Sequence, residues 1–224
     1  MKETEMIRII KKPRTMLPFI FMLIALPLVC AQSPGPSLVN DCQPCTYSIG
    51  GDAGVYSFTF VRGVDREDQI IKAIEVSKNS KTVQRLDVTN SDTDGDDDKV
   101  LFGVEDINFD GYADLMIETG HGIANAYADY WIFDSKSGAF IKLGNYPILT
   151  VDAKARSLKS YERGGCAGMD YDSKEYTFLD GKIVLIREEK QSNLEDCQTF
   201  YKFVQIRTNG VMKTVFRKTI RAPK

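Results

Sequence analysis

The chain has 224 residues, with 29 Lys+Arg against 31 Asp+Glu and a formal net charge of −2. That length can bury a sizeable core without depending on crosslinks. The slightly acidic balance excludes the basic footprint of a nucleic-acid-binding domain.

The first segment differs from the rest. Lys2, Arg8, Lys11, Lys12 and Arg14 lead into an uncharged apolar run from Leu17 to Val29. That run falls short of the roughly 20 apolar residues that cross a bilayer, and it suits the core of a signal peptide. Val29, Cys30 and Ala31 follow as tolerably small residues, so cleavage is expected after Ala31, making 1–31 the signal peptide. Two alternatives stay open. Cys30 could carry a lipid anchor, although Val29 stands where Gly, Ala or Ser is wanted, or the segment could remain uncleaved. Each reading puts the folded part outside the cytoplasm, periplasmic or secreted. Residues 32–224 then carry 24 Lys+Arg against 29 Asp+Glu and amount to one domain. A flexible lead-in over 32–45, with Ser33, Pro34, Gly35, Pro36 and Ser37, precedes a β-rich domain over 46–224.

Cys42, Cys45, Cys166 and Cys197 remain, and an even count in an exported chain reads as two disulfides. Three pairings are formally possible; proximity favours Cys42–Cys45 and Cys166–Cys197. The Cys42-Gln43-Pro44-Cys45 spacing also occurs in redox motifs, but it precedes any strand and opens no helix, which favours a structural clasp.

Strand signals follow in order. Tyr56 to Val61 is aromatic and β-branched, Ile70 to Val76 reads as strand or short helix, and Val83 to Val88 roughly alternates. Tyr127, Tyr130, Trp131 and Phe133 mark another strand, and Phe140 to Leu143 follows a turn at Ser137-Gly138. Tyr176–Leu179 and Lys182–Ile186 flank Asp180-Gly181, while Phe200–Ile206 and Val211–Phe216 flank Asn209-Gly210; both are strong hairpin signals. No long amphipathic helix emerges. The fold expected is all-β, one domain of short antiparallel strands, with sandwich, barrel and small propeller left open.

The most specific chemistry lies between Asp106 and Asp114. Asp106, Asn108, Asp110 and Asp114 put side-chain oxygens at loop positions 1, 3, 5 and 9, with Gly111 at the sharp turn and the Tyr112 carbonyl available. Calcium wants six to eight oxygen ligands, and this spacing wraps carboxylates around one centre. Position 12 is Ile117 instead of a bidentate glutamate, so weak affinity is expected, about 10⁻⁴–10⁻³ M. A second acidic run, Asn90, Asp92, Asp94, Asp96 and Asp98, fits the register but has Asp97 at an apolar position; it reads equally as a solvated loop or a second metal loop. His121 is the only histidine and sits between two glycines, which leaves no Ser-His-Asp set and favours a non-enzymatic role.

The run Val104 to Leu115, followed by Ala126-Tyr127 and Tyr130 to Asp134, resembles a bacterial periplasmic family of β-propeller-like, calcium-binding immunity proteins. Those proteins protect cells from peptidoglycan hydrolases delivered by type IV secretion. The resemblance covers roughly residues 80–220. It implies a small propeller-like fold, a structural calcium at Asp106, Asn108, Asp110, Tyr112 and Asp114, and a lysozyme-like hydrolase as partner. The Ser-Gly-x-x-Tyr motif of some lysozyme inhibitors is absent; Gly164 to Tyr171 is the nearest exposed-looking loop with a tyrosine, and a disulfide-pinned turn is its plainer reading. A calcium-stabilised adhesion or surface-binding module is the alternative function.

Overall fold

A computed structural model describes residues 35–39, 42–65, 68–92 and 100–222. The leader with Cys30 and Ala31 lies outside them, as do Asp94, Asp96 and Asp98 of the second acidic run.

Within Gln32–Lys224, a single compact unit, the chain enters with β1 (Ser37–Val39). A four-stranded meander follows: β2 (Cys45–Ser48), β3 (Val55–Asp65), β4 (Asp68–Lys78) and β5 (Lys81–Asp92). The second meander is β6 (Val100–Glu105), β7 (Asp114–His121), β8 (Ala126–Asp134) and β9 (Ala139–Pro147), and β1 adds to its β6 edge. The third runs β10 (Thr150–Asp152), β11 (Ser157–Arg163), β12 (Tyr171–Leu179), β13 (Lys182–Asn193), β14 (Thr199–Thr208) and β15 (Val211–Arg221). Neighbouring strands pair antiparallel throughout these sheets. The all-β expectation holds, and three successive meanders make up the domain.

The second sheet explains how they fit together. Its residues alternate between two buried clusters. Leu115, Ile117, Trp131 and Phe133 join Phe58, Ile74 and Phe102 in one, while Met116, Ala128 and Tyr130 join Leu149 and Leu158 in the other. Successive strand residues point to opposite faces, so this sheet is covered by the first meander on one side and by β11 on the other. That double burial is why Tyr130-Trp131-Ile132-Phe133 is continuously apolar where a half-buried strand would alternate. Edge-to-face rings reinforce the first cluster, with Phe133 and Phe140 centroids 5.1 Å apart and Phe60 and Phe102 5.3 Å apart.

Both hairpin signals fold as read. Asp180 and Gly181 have φ of 51° and 72°, and Asn209 and Gly210 have 52° and 80°, the paired positive φ of tight hairpin turns. One expectation needs correction and one open alternative is resolved. The lead-in is structured in part, since Ser37–Val39 forms β1 and Cys42 is fully buried in the first cluster. Ile70 to Val76 resolves as strand, because Ile71, Ile74 and Val76 fill that core. His121 closes β7, paired with Ala126. Among the described residues Cys42–Cys45 and Cys166–Cys197 form disulfides, the pairing that proximity favoured.

Candidate functional site

The acidic loop joins β6 to β7. Asp106 accepts from the amides of Asp110 (3.0 Å) and Gly111 (2.9 Å), and Asp110 accepts from Tyr112 N (2.9 Å) and from Asn108 Nδ2 (2.9 Å). These bonds wind the segment into a tight turn, with Phe109 at φ 64° and Gly111 at φ 92°. Asp114 is different because it points inward. One oxygen accepts from the amides of Ile107 (3.0 Å) and Asn108 (3.2 Å), and the other from Phe133 N (2.8 Å). Burial pushes its carboxyl up to about 8, against the opposing pull of those three donors.

The loop also ties the sheets together. Ala113 N donates to Ile49 O at 2.7 Å and Tyr112 Oη to Asp52 at 3.1 Å, which anchors it to the turn before β3. A Cβ on Gly50 would stand 2.8 Å from Gly111 O, so only glycine permits this approach. From the third sheet, Arg156 donates to Phe109 O at 2.8 Å and lies over the Phe109 ring. The loop therefore stands where all three sheets meet.

The side-chain donors are oxygens only, which suits a hard cation such as calcium. Among the described residues no three carboxylate, imidazole or thiolate groups converge on one point. A cation here would draw on the Asn108 amide, the Tyr112 carbonyl and water beside the carboxylates. Asn90 and Asp92 of the second run belong to the backbone of β5. A cavity of about 10 Å³ beside Asp114, bordered by Glu105, Met116, Tyr130 and Leu149, has room for one water and none for a substrate.

A second feature lies at the far end of the third sheet. Cys166, Ala167 and Gly168 follow one another at φ of 54°, 58° and 84°, a short left-handed turn. The left-handed conformation costs roughly 1–2 kcal/mol per non-glycine residue, so this turn must be held. The Cys166–Cys197 disulfide clamps one side. On the other, Gln191 Nε2 donates to Met169 O at 2.7 Å and Asn193 N to Asp170 at 2.5 Å. Gly164, Gly165 and Ala167 are nonetheless exposed.

Beside the turn runs an aromatic and charged strip that periodicity did not single out. Tyr161 and Tyr171 stack at 5.6 Å, and Glu189 accepts from Tyr171 Oη (2.8 Å), Arg187 (2.7 Å) and Lys202 (2.6 Å). The Lys202 and Tyr171 bonds hold the Glu189 carboxyl down at about 2. A tyrosine, a carboxylate and two cations on three strands leave no local spacing to read. Tyr127 Oη also donates to Glu162.

No family model and no curated protein matches the chain. Among solved structures it is similar to a Xanthomonas type IV secretion system related protein, at 14% identity and a TM-score of 0.53, over 83% of this chain and 100% of that one. At that identity the likeness shows a common fold. Among the described residues no helix is long and apolar enough to cross a membrane, and two disulfides are compatible with a periplasmic or extracellular place.

Proposed function

We propose that the domain is an exported, non-enzymatic binding protein that inhibits a peptidoglycan hydrolase, with calcium in the 106–114 loop fixing the junction of its three sheets. The observation that carries the reading is the clamped left-handed turn at Cys166–Gly168. A rigid, exposed, strained segment is the kind of element that seats in another protein's cleft with little ordering cost. The fold likeness to a Xanthomonas type IV secretion system related protein supports an association with such a system, where a hydrolase inhibitor would protect its own cell.

Calcium has a structural part in this reading. Asp106, Asn108, Asp110, Tyr112 and Asp114 supply hard oxygens in the loop that bridges the sheets, and Asp114 is a buried carboxylate that a cation would relieve. The test uses residues 32–224 in peptidoglycan-clearing assays with lysozyme-type hydrolases. Stoichiometric inhibition, weakened at least tenfold by Ala167→Glu in the turn, is the expected result. Absence of inhibition across the panel by a folded, calcium-loaded domain would move the reading to a surface-binding module.

A further inference from the structure

The charge of this chain is sharply divided. Residues 32–198 carry 17 Lys+Arg against 29 Asp+Glu, whereas Thr199 to Ala222 holds six cations and no acid. Those 24 residues are the β14–β15 hairpin, and among the described strands β15 is the outer edge of the third sheet, paired with β14 alone. Lys213, Arg217, Lys218 and Arg221 are exposed on β15, and none forms an ion pair with a described residue. Register spreads them over both faces. Lys218 and Lys213 lie opposite Lys202 and Ile206, while Arg217 and Arg221 lie opposite Phe203 and Thr199 on the other side. The Lys202–Lys218 pair sets like charges directly opposite one another, an arrangement that destabilises a sheet. Glu189 neutralises Lys202; Lys218 is left to an outside anion.

Apolar side chains interleave with these cations. Val211 is 61% exposed, Val215 58%, Phe216 42% and Ile206 37%. Edge strands often carry lysine to block aggregation, but one or two charges suffice for that and exposed Val and Phe work against it. Cations with exposed apolar residues make up the composition that settles at a membrane interface. We propose that the β14–β15 hairpin docks the domain on an anionic phospholipid surface. A bilayer offers smeared negative charge that needs no register, which matches cations on both faces of an edge. A protein partner would need carboxylates matched to both faces. The tip, Asn209-Gly210, lies at the opposite end of the sheet from the clamped turn, because β13–β14 is joined at the Cys197 end. Docking thus leaves the turn free, and the acidic remainder of the domain is repelled from the surface.

The test is co-sedimentation of residues 32–224, which contain every described strand, with vesicles of phosphatidylcholine alone or mixed equally with phosphatidylglycerol. Binding is expected only to the mixture and should fall with added salt. Each cation near such a surface contributes about fivefold, so K213Q/R217Q/K218Q/R221Q should lose two to three orders of magnitude. K81Q/R85Q/K136Q/K154Q removes the same charge from exposed sites elsewhere and should lose far less. V211S/V215S/F216S should keep the salt dependence and bind more weakly. Circular dichroism checks that each variant is folded. Equal loss in both charge variants, binding to phosphatidylcholine alone, or no binding to the mixture overturns the proposal. So does an outcome in which the hairpin cations drive only self-association or capture of an acidic protein.

Discussion

At the scale of single residues, Asp129 shows how the interior handles charge. Its side chain is fully buried, yet it accepts from Thr89 N at 2.7 Å, Lys142 Nζ at 2.9 Å and Asn145 Nδ2 at 3.0 Å. That cluster joins β5 to β8 and β9. Removing one partner strands the others, so Asp129→Ala should cost about 3 kcal/mol in urea unfolding, well above a surface change. Ala167 makes the opposite prediction. Held at φ 58° in the clamped turn, it should gain about 1 kcal/mol on replacement by glycine. A loss on Ala167→Gly would show that the turn is unstrained. Glu189 gives a pH signature. Its folded carboxyl, near 2, lies below the ordinary value of 4.5. Its contribution is therefore present above pH 4.5 and lost as pH falls toward 2, on the order of 2 kcal/mol. Glu189→Gln should flatten that acid limb, and an unchanged limb would contradict the network.

At the scale of elements, hairpins and disulfides were legible and sheet partnership was not. Asp180-Gly181 and Asn209-Gly210 need positive φ at both positions, so chemistry alone named those turns. Proximity named the cysteine pairs. β1, β2 and β10 are three or four residues long, too short for any period to show. The acidic loop was readable as a tight turn because its Asp, Asn and Gly spacing is local. Its anchors were not, since Arg156 reaches Phe109 from 47 residues away and Asp52 reaches Tyr112 from 60. The disulfide-pinned turn between Gly164 and Tyr171 was readable, but its left-handed conformation was not, because Cys166 and Ala167 are unusual residues for positive φ. The Cys166–Cys197 bridge spans 31 residues, for which chain entropy gives about 3.7 kcal/mol. Cys166→Ser with Cys197→Ser should lower the melting temperature accordingly and weaken inhibition more than any change in the β3–β4 hairpin. Retention of full inhibition would remove the turn from the contact surface.

At the scale of the whole molecule, three meanders stack through a middle sheet buried on both faces, and the acidic loop stands at their junction. Calcium in that loop should therefore stabilise the entire domain. At about 10 mM calcium and the expected weak affinity, linkage gives about 2 kcal/mol, roughly 5 °C in melting temperature. Asp110→Ala should abolish the rise, and an equal rise in that variant would place calcium elsewhere. The division between an acidic body and a basic edge hairpin is the charge pattern on which the proposed membrane contact rests.

The most direct test of the inhibitory function is calorimetric titration of residues 32–224 into a lysozyme-type hydrolase, in calcium and in chelator, beside Ala167→Glu. A one-to-one complex is expected in calcium, weaker in chelator and at least tenfold weaker for the variant. Binding unaffected by Ala167→Glu, or no heat with any hydrolase from a folded and calcium-loaded domain, would contradict it.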